Sequence, residues 1–471
     1  MKNDGPIIRS FGIIFFLLIP VLLVLFRYII GFNGLYGQDA HEYFRYANAI
    51  RNYFSTGISP GPFHWTIWYP LTGALLGLIT GTSLALQLIS ISCFCGALYF
   101  LFRILSALYG DKQTAFQYVM LFGLPSAYFL RLGICSMSDM MAIFFVSASI
   151  YYCIEFSLAN RVRAQLLAVL FFSLAVITRD ASVVLVVIPV FFLVRNMIVN
   201  FSKIFFFSSI LIAAIIFFPA YWFHADVHSG FISEWSFSNY FKNDFDTPGN
   251  GHLHYRFWNI AYYLAFLIHP AFVMPAVIFF FFYKWDEFSP ELIFLMLAPA
   301  LLYLLFLSGF MLQNDRLAAM SFPLILVFWF PAFERIRRRT FISAVSRKIL
   351  GVFSLVIQLV LFWFAFNDFY FTNRIERSIT DHINKNYPGM MIYSQGMEGP
   401  LNSYIPDPNV FSLESVEVTC NGNKLILIQT TEFEKQWKNK RAGGNWYYLQ
   451  QHCYLRKVKE FENGWDLYEA K

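Results

Sequence analysis

Apolar runs long enough to cross a bilayer recur along this chain from Phe11 to about Tyr370, and they leave few folds open. Roughly 30 Å of hydrocarbon takes about 20 apolar residues per helix, and only helices or closed barrels satisfy their backbone there. A barrel shows short alternating strands, not long continuous runs. Of the 471 residues only 14% are charged, against about one quarter in a soluble domain. The fold class is a polytopic α-helical membrane protein. Its net charge of +6 is mostly orientation signal, so no nucleic acid is expected as a partner. The first run has no small-residue cleavage site after it and reads as a retained helix.

Charge sets the expected topology. Lys2 and Arg9 precede a helix over about 11–30, which puts the N-terminus in the cytoplasm. The segment 31–83 is then an outer loop, amphipathic and broken by Gly57, Pro60, Gly61, Pro62 and Pro70. Within it 68–81 is short for a span and reads as a re-entrant or interfacial helix. Further spans are expected over 84–105, 115–130, 138–157, 165–178, 181–197, 204–222, 258–282, 290–310, 317–333 and 349–368. Their inner connections carry Arg103/Lys112, Arg161/Arg163, Arg195/Lys203, Lys284 and the cluster Arg335, Arg337, Arg338, Arg339, Arg347, Lys348. The count comes to about eleven helices, with the C-terminus outside. A membrane part over 1–372, with a second outer loop at 223–257, is followed by ordinary soluble sequence over 373–471. That tail has strand-like runs at 390–394, 410–415, 424–430 and 464–470 and a helix-like run at 431–440, which reads as a small α/β domain.

The six cysteines include Cys93, Cys95, Cys135 and Cys153 in apolar runs, where they read as small buried hydrophobes. Cys420 and Cys453 are the pair in the tail, and an oxidising compartment would allow them to join.

The polar clusters of interest fall on the outer side of this topology. Asp39, in GLYGQDAHEYFRYA, has two readings: a base for an acceptor hydroxyl or amine, or a cap for a helix over 42–54, with His41 and Glu42 beside it. Asp139, in SMSDMMAIFFV, is a helix cap or a second acid that positions an acceptor or shares a cation with Asp39. Arg131, Arg179 and Arg316 lie at outer helix ends, where arginine is scarce. A guanidinium there grips a phosphate bidentately or snorkels to the interface, and Asp180 and Asp315 offer local neutralisation to Arg179 and Arg316. The 223–257 loop holds His224, Asp226, His228, Asp244, Asp246, His252 and His254, a weak cation set. Its His254 and Arg256 equally suit a phosphate or lipid headgroup. No phosphate-cradling glycine loop and no nucleophile elbow is present, which argues against a nucleotide-sugar donor.

Taken in order, G-x-D-x-x-x-Y-x-x-x-A at Gly37–Ala47, the Trp-Tyr-Pro-Leu helix at 68–71, R-L-x(5)-S-D ending at Asp139, the T-R turn at Arg179 and N-D-R-x(6)-P at Asn314–Pro323 form a pattern. It resembles the GT-C superfamily of integral-membrane glycosyltransferases, in the bacterial branch of protein O-mannosyltransferases and lipid A aminoarabinose transferases. The resemblance covers about 1–370. It implies a polyprenyl-phosphate sugar as donor, inversion at the anomeric carbon, Asp39 as catalytic base, Asp139 as the acid of the second outer loop, and Arg316 and Arg179 at the donor phosphate. Many relatives carry D-E after the glycine; here Gln38-Asp39-Ala40 puts Glu42 three residues on and leaves its role open. The acceptor is a lipid, a glycan or a protein, membrane lipids are partners, and a divalent cation is an open cofactor. The alternatives are a transporter or flippase for a lipid-linked or anionic substrate, a scaffold whose tail binds partners, and a lipid-linked polymerase or ligase.

Overall fold

A computed structural model describes residues 11–63, 65–159, 161–199, 203–223, 234–247, 249–273, 276–282, 290–338, 344–406 and 408–471. Lys2, Arg9, His224, Asp226, His228, Lys284 and Arg339 lie outside the described residues.

Among the described residues, six helices are long and apolar enough to cross a membrane: Phe11–Ile30 (α1), Thr82–Tyr109, Ser138–Leu158, Lys203–Trp222, Asp315–Arg338 and the apolar part of Ala344–Asn386. Shorter apolar helices add Val162–Thr178 and Leu295–Ser308. Two spans expected as continuous are broken. Helix Lys112–Tyr118 leads through a π-helical turn at Val119–Gly123 and stops before Ala127–Ile134, with Pro125 in the gap. In the second, Asn259–Ala265 and Ala276–Phe282 are separated by a stretch containing Pro270. Proline lacks the N–H a helix interior needs and pushes the preceding residue out of the helical region.

The centre of the bundle is Thr82–Tyr109 packed on Ser138–Ala159, which packs in turn on Val162–Thr178. In the first two, 72% of the apolar window is buried, against 11% in α1, so α1 presents most of its side chains to lipid. After α1 in the chain comes Gly37–Thr56 (α2), longer than the expected 42–54 helix. Its buried Ala40, Tyr43, Ala47 and Ile50 repeat at three and four residues, one apolar stripe facing the bundle. Gly57, at φ +74°, ends it. Trp68–Thr80 (α3) follows, 13 residues and short for a span, packed on α2 and on Thr82–Tyr109 (α4).

Ala344–Asn386 is a single helix of 43 residues. Residue 373, where soluble sequence begins, lies inside it. Ile375, Ile379 and Ile383 recur every fourth residue and pack with Ile392, Leu401, Leu425 and Leu427 in a separate core. That core lies against a five-stranded mixed sheet. Met391–Ser394 (β1) pairs in parallel with Val410–Ser412 (β2) and Lys424–Gln429 (β3). Trp465–Ala470 (β5) runs antiparallel to both β3 and Leu455–Glu460 (β4). Strands lie on each of the four runs read from sequence, and Thr430–Trp437 is helical. The charged edge strand LRKVKE was missed, because its alternation carries too little apolar signal.

Cys420 and Cys453 are joined in a disulfide with Cα atoms 5.3 Å apart. A cross-link over a loop of this size removes unfolded-state entropy. Replacing both cysteines by serine should lower the unfolding free energy of the tail by about 2–4 kcal/mol, read from denaturant titration followed by tail tryptophan fluorescence.

Candidate active site

The segment that follows α1 is fastened to the loop before Ser138 by one close approach. Gly34 sits at φ +84°, and a Cβ there would lie 2.5 Å from Ser136 Oγ. Its carbonyl accepts from the Ser136 N–H at 2.9 Å. Only glycine fits, for both reasons. This seam brings the two acid-bearing helix starts together. Asp39 lies in the first turn of α2 and Asp139 in the first turn of Ser138–Ala159. Asp39 is not the cap of its helix: the N-cap is Tyr36, with no side-chain bond to the helix. The positive end of each helix favours a carboxylate at these positions. Tyr43, one turn below Asp39, shares a 2.7 Å hydrogen bond with Ser138 Oγ and ties the two starts side by side.

Two arginines from distant stretches complete the cluster. Arg316 Nη2 donates to Asp39 Oδ2 at 2.5 Å, and its Nε lies 3.3 Å from Asp139 Oδ2. Arg179 Nε lies 3.4 Å from Asp139 Oδ1. Asn314 aims the turn by accepting from the Arg316 N–H at 3.0 Å, and Met137 Sδ sits 3.2 Å from Arg316 Nη1. Asp139 is fully buried between the two guanidiniums, whereas the Asp39 side chain is 32% exposed. Asp39 is therefore the more accessible of the two acids. Burial alone would raise the Asp39 carboxyl, but the charge and hydrogen bond of Arg316, with Arg179 behind it, hold it below the usual carboxylate range.

The neighbouring acids do not neutralise these arginines as sequence adjacency suggested. Asp315 pairs with Arg131 at 2.8 Å, and Arg179 turns to Asp139. Consecutive residues point different ways around a turn. Arg131 is buried against Phe369 and Tyr128, its guanidinium 4.2 and 4.8 Å from their ring centres. It borders the cluster through the Asp315–Arg316 turn.

The other candidates lie elsewhere. His41 is buried on another face of α2, with Nε2 3.1 Å from Glu376 Oε2. Glu376 also accepts from the Gly37 N–H at 2.8 Å, so one carboxylate of the long helix holds the first turn of α2. Glu42 pairs with Arg45 on the helix surface. His254 is exposed on the hairpin Asp244–Thr247/Gly251–His254, where His252 faces Asp244 at 3.2 Å, and the guanidinium of Arg256 lies 5.4 Å from the Phe257 ring centre. None of these touches the acids. Sequence reading missed Glu376, Tyr43 and Met137 as supports. The Glu376–His41 contact spans 335 residues, and nothing local marks it.

The donor set does not suit a divalent cation. Both carboxylates face guanidiniums, and among the described residues no three His, Cys, Asp or Glu side chains converge.

With this geometry in place, comparison with solved structures is informative. The chain has the fold of ArnT from Cupriavidus metallidurans. It aligns with the undecaprenyl phosphate-bound crystal structure at TM-score 0.56 and 12% identity, covering 95% of this chain and 97% of that one. The apo structure aligns at TM-score 0.51 and 11% identity over the same shares. No family model matches the sequence, and no curated protein matches it significantly. ArnT is a lipid A aminoarabinose transferase of the GT-C class, the branch that the sequence motifs resemble.

Removing one member of a buried ion cluster leaves its partners uncompensated. Asp139→Ala should therefore cost about 3–5 kcal/mol of stability, and Asp39→Asn, at the exposed edge, clearly less. Thermal unfolding of the two variants in detergent checks this order, and equal losses would contradict it.

Proposed function

We propose that this protein is a membrane glycosyltransferase that moves a sugar from a polyprenyl-phosphate donor to an acceptor at the extracytoplasmic face of the inner membrane. The observation that carries the reading is the convergence of Asp39, Asp139, Arg179 and Arg316, from four distant stretches, into one partly open cluster. The likeness in fold to a protein crystallised with undecaprenyl phosphate supports a lipid-linked donor. Two features support the sidedness. The basic cluster Arg335, Arg337 and Arg338 lies at the far end of the helix that follows Arg316, and the tail carries a disulfide of the kind oxidising compartments keep.

In this reading the donor phosphate competes with Asp39 for Arg316, assisted by Arg179, and its lipid chain lies along the bundle. While Arg316 holds it, the Asp39 carboxylate is a weak base. Once the phosphate takes the guanidinium, that restraint is lost and the carboxylate regains proton affinity where the acceptor arrives. Asp39 then accepts the proton of the acceptor hydroxyl or amine as its oxygen or nitrogen bonds to the anomeric carbon. The bond from that carbon to the phosphate oxygen breaks, with inversion, and its electron pair leaves on the lipid phosphate. The arginines stabilise that developing charge, the place where fixed electrostatics contribute most. Asp139 is a positioning residue that fixes both guanidiniums. Residues 1–372 carry the reaction, and 373–471 form an outer soluble domain. The sugar transferred is a hexose or pentose, and the acceptor a lipid, glycan or protein.

The test is transfer from a radiolabelled polyprenyl-phosphate sugar in the purified, reconstituted protein. Asp39→Asn should fold and bind donor but lose transfer by about 10²–10⁴-fold, the usual worth of a general base. Full transfer in that variant would remove Asp39 from the role.

A pH profile follows from the depressed carboxyl. Arg179 is one of the charges that lower Asp39, so Arg179→Gln should move the acid limb of kcat/KM to higher pH than in the native protein. By the same sign, the Asp39 ion pair stabilises the fold fully above the unfolded carboxyl value of about 3.9 and is lost only as pH falls through the lower folded value.

A further inference from the structure

Arg131, Arg179 and Arg316 each face a carboxylate, but two other part-buried arginines do not. Arg27, in the last turn of α1, donates to Gln87 Oε1. Arg51, in α2, reaches only Thr82 Oγ1, at 3.4 Å. Neither has an acidic partner among the described residues. Both line an open-sided cavity of about 600 Å³ between the end of α1, α2 and the α3–α4 turn.

The lining of this cavity is chemically specific. Besides the arginines it presents Asn48, Asn52, Thr80 and Thr82, and it contains no Asp or Glu. Thr82 Oγ1 donates to Asn48 Oδ1 at 2.6 Å, which fixes the floor. Two fixed positive charges, with amide and hydroxyl donors and no acid, make a site for a phosphate group. The residues next to the lining in sequence are open and apolar. Ile29 on the α1 side and Ile79 on the α3 side are 80% and 86% exposed, and Leu78 and Leu25 beside them are exposed as well. Apolar side chains this open, at the end of a lipid-facing helix, meet acyl chains. Asn48 is nine residues beyond Asp39 on the same helix, about 13 Å along its axis at ~1.5 Å per residue, so the cavity is separate from the acid cluster.

We infer that this cavity binds the phosphate of an anionic glycerophospholipid, its headgroup between Arg27 and Arg51 and its chains against the exposed faces of α1 and α3. The inference does not depend on the sugar-transfer reading, since neither arginine touches the acids. A lipid there would brace α2, the helix that carries Asp39.

The experiment uses the full-length protein, delipidated in detergent, with its unfolding midpoint followed as phosphatidylglycerol, phosphatidylcholine, inorganic phosphate or polyprenyl phosphate is added. Phosphatidylglycerol should raise the midpoint saturably, and phosphatidylcholine and inorganic phosphate should not. Arg51→Gln should weaken the apparent affinity for phosphatidylglycerol about tenfold, the worth of one charge-assisted contact, and Arg27→Gln/Arg51→Gln should abolish the response. Arg51→Lys, which keeps the charge, should retain most of it, and it remains informative if the double variant fails to fold. An unchanged response in Arg51→Gln would overturn the inference. So would a midpoint rise with inorganic phosphate equal to that with lipid, which would make this a free-anion site. Displacement of phosphatidylglycerol by an equal amount of polyprenyl phosphate would overturn it too, by assigning the cavity to a polyprenyl lipid.

Discussion

The guanidinium of Arg316 touches both acids at once, and the arrangement around it depends on that double contact. One arginine pairs a partly exposed carboxylate at 2.5 Å and a fully buried one at 3.3 Å. The closer pair holds the reachable acid in its ionised form. The longer one, with Arg179 on the other side, leaves Asp139 bracketed at distances beyond an ideal charge-assisted bond. A cluster of two acids and two arginines is neutral in sum but loosely tied at its centre.

Everything that aims these four side chains is backbone geometry at helix ends. Both acids occupy the first turn of a helix, Arg316 follows an Asn cap, and Arg179 follows the last turn of Val162–Thr178. The glycine seam at Gly34 and the Tyr43–Ser138 bond set the spacing of the two acids. Sites assembled from helix termini need no long loops and keep their polar groups away from hydrocarbon, which suits a protein whose other surfaces face lipid.

Much of this was legible from composition and order. The membrane class follows from the length of the apolar runs, and the four cluster residues stood out because acids and arginines are costly at that depth and therefore informative where they occur. What the residues could not convey was pairing. Asp315 beside Arg316 and Asp180 beside Arg179 look like local partners, yet Arg316 and Arg179 turn to Asp39 and Asp139 in other stretches. Two of the expected spans are broken at Pro125 and Pro270, since hydropathy averages over the break. His41 looked chemical because it neighbours Asp39, but a helix rotates adjacent residues apart, and its partner Glu376 lies on another helix. His254 and Arg256 belong to a hairpin with its own exposed acid.

The unbroken helix Ala344–Asn386 has a mechanical meaning. It enters the membrane at one end, and at the other it supplies both the isoleucine ridge of the tail core and the carboxylate that holds the Gly37 amide. A stiff rod shared in this way transmits torque. Any tilt of that sheet would pull on Glu376 and so on the turn bearing Asp39, making the tail a lever on a helix start many residues away.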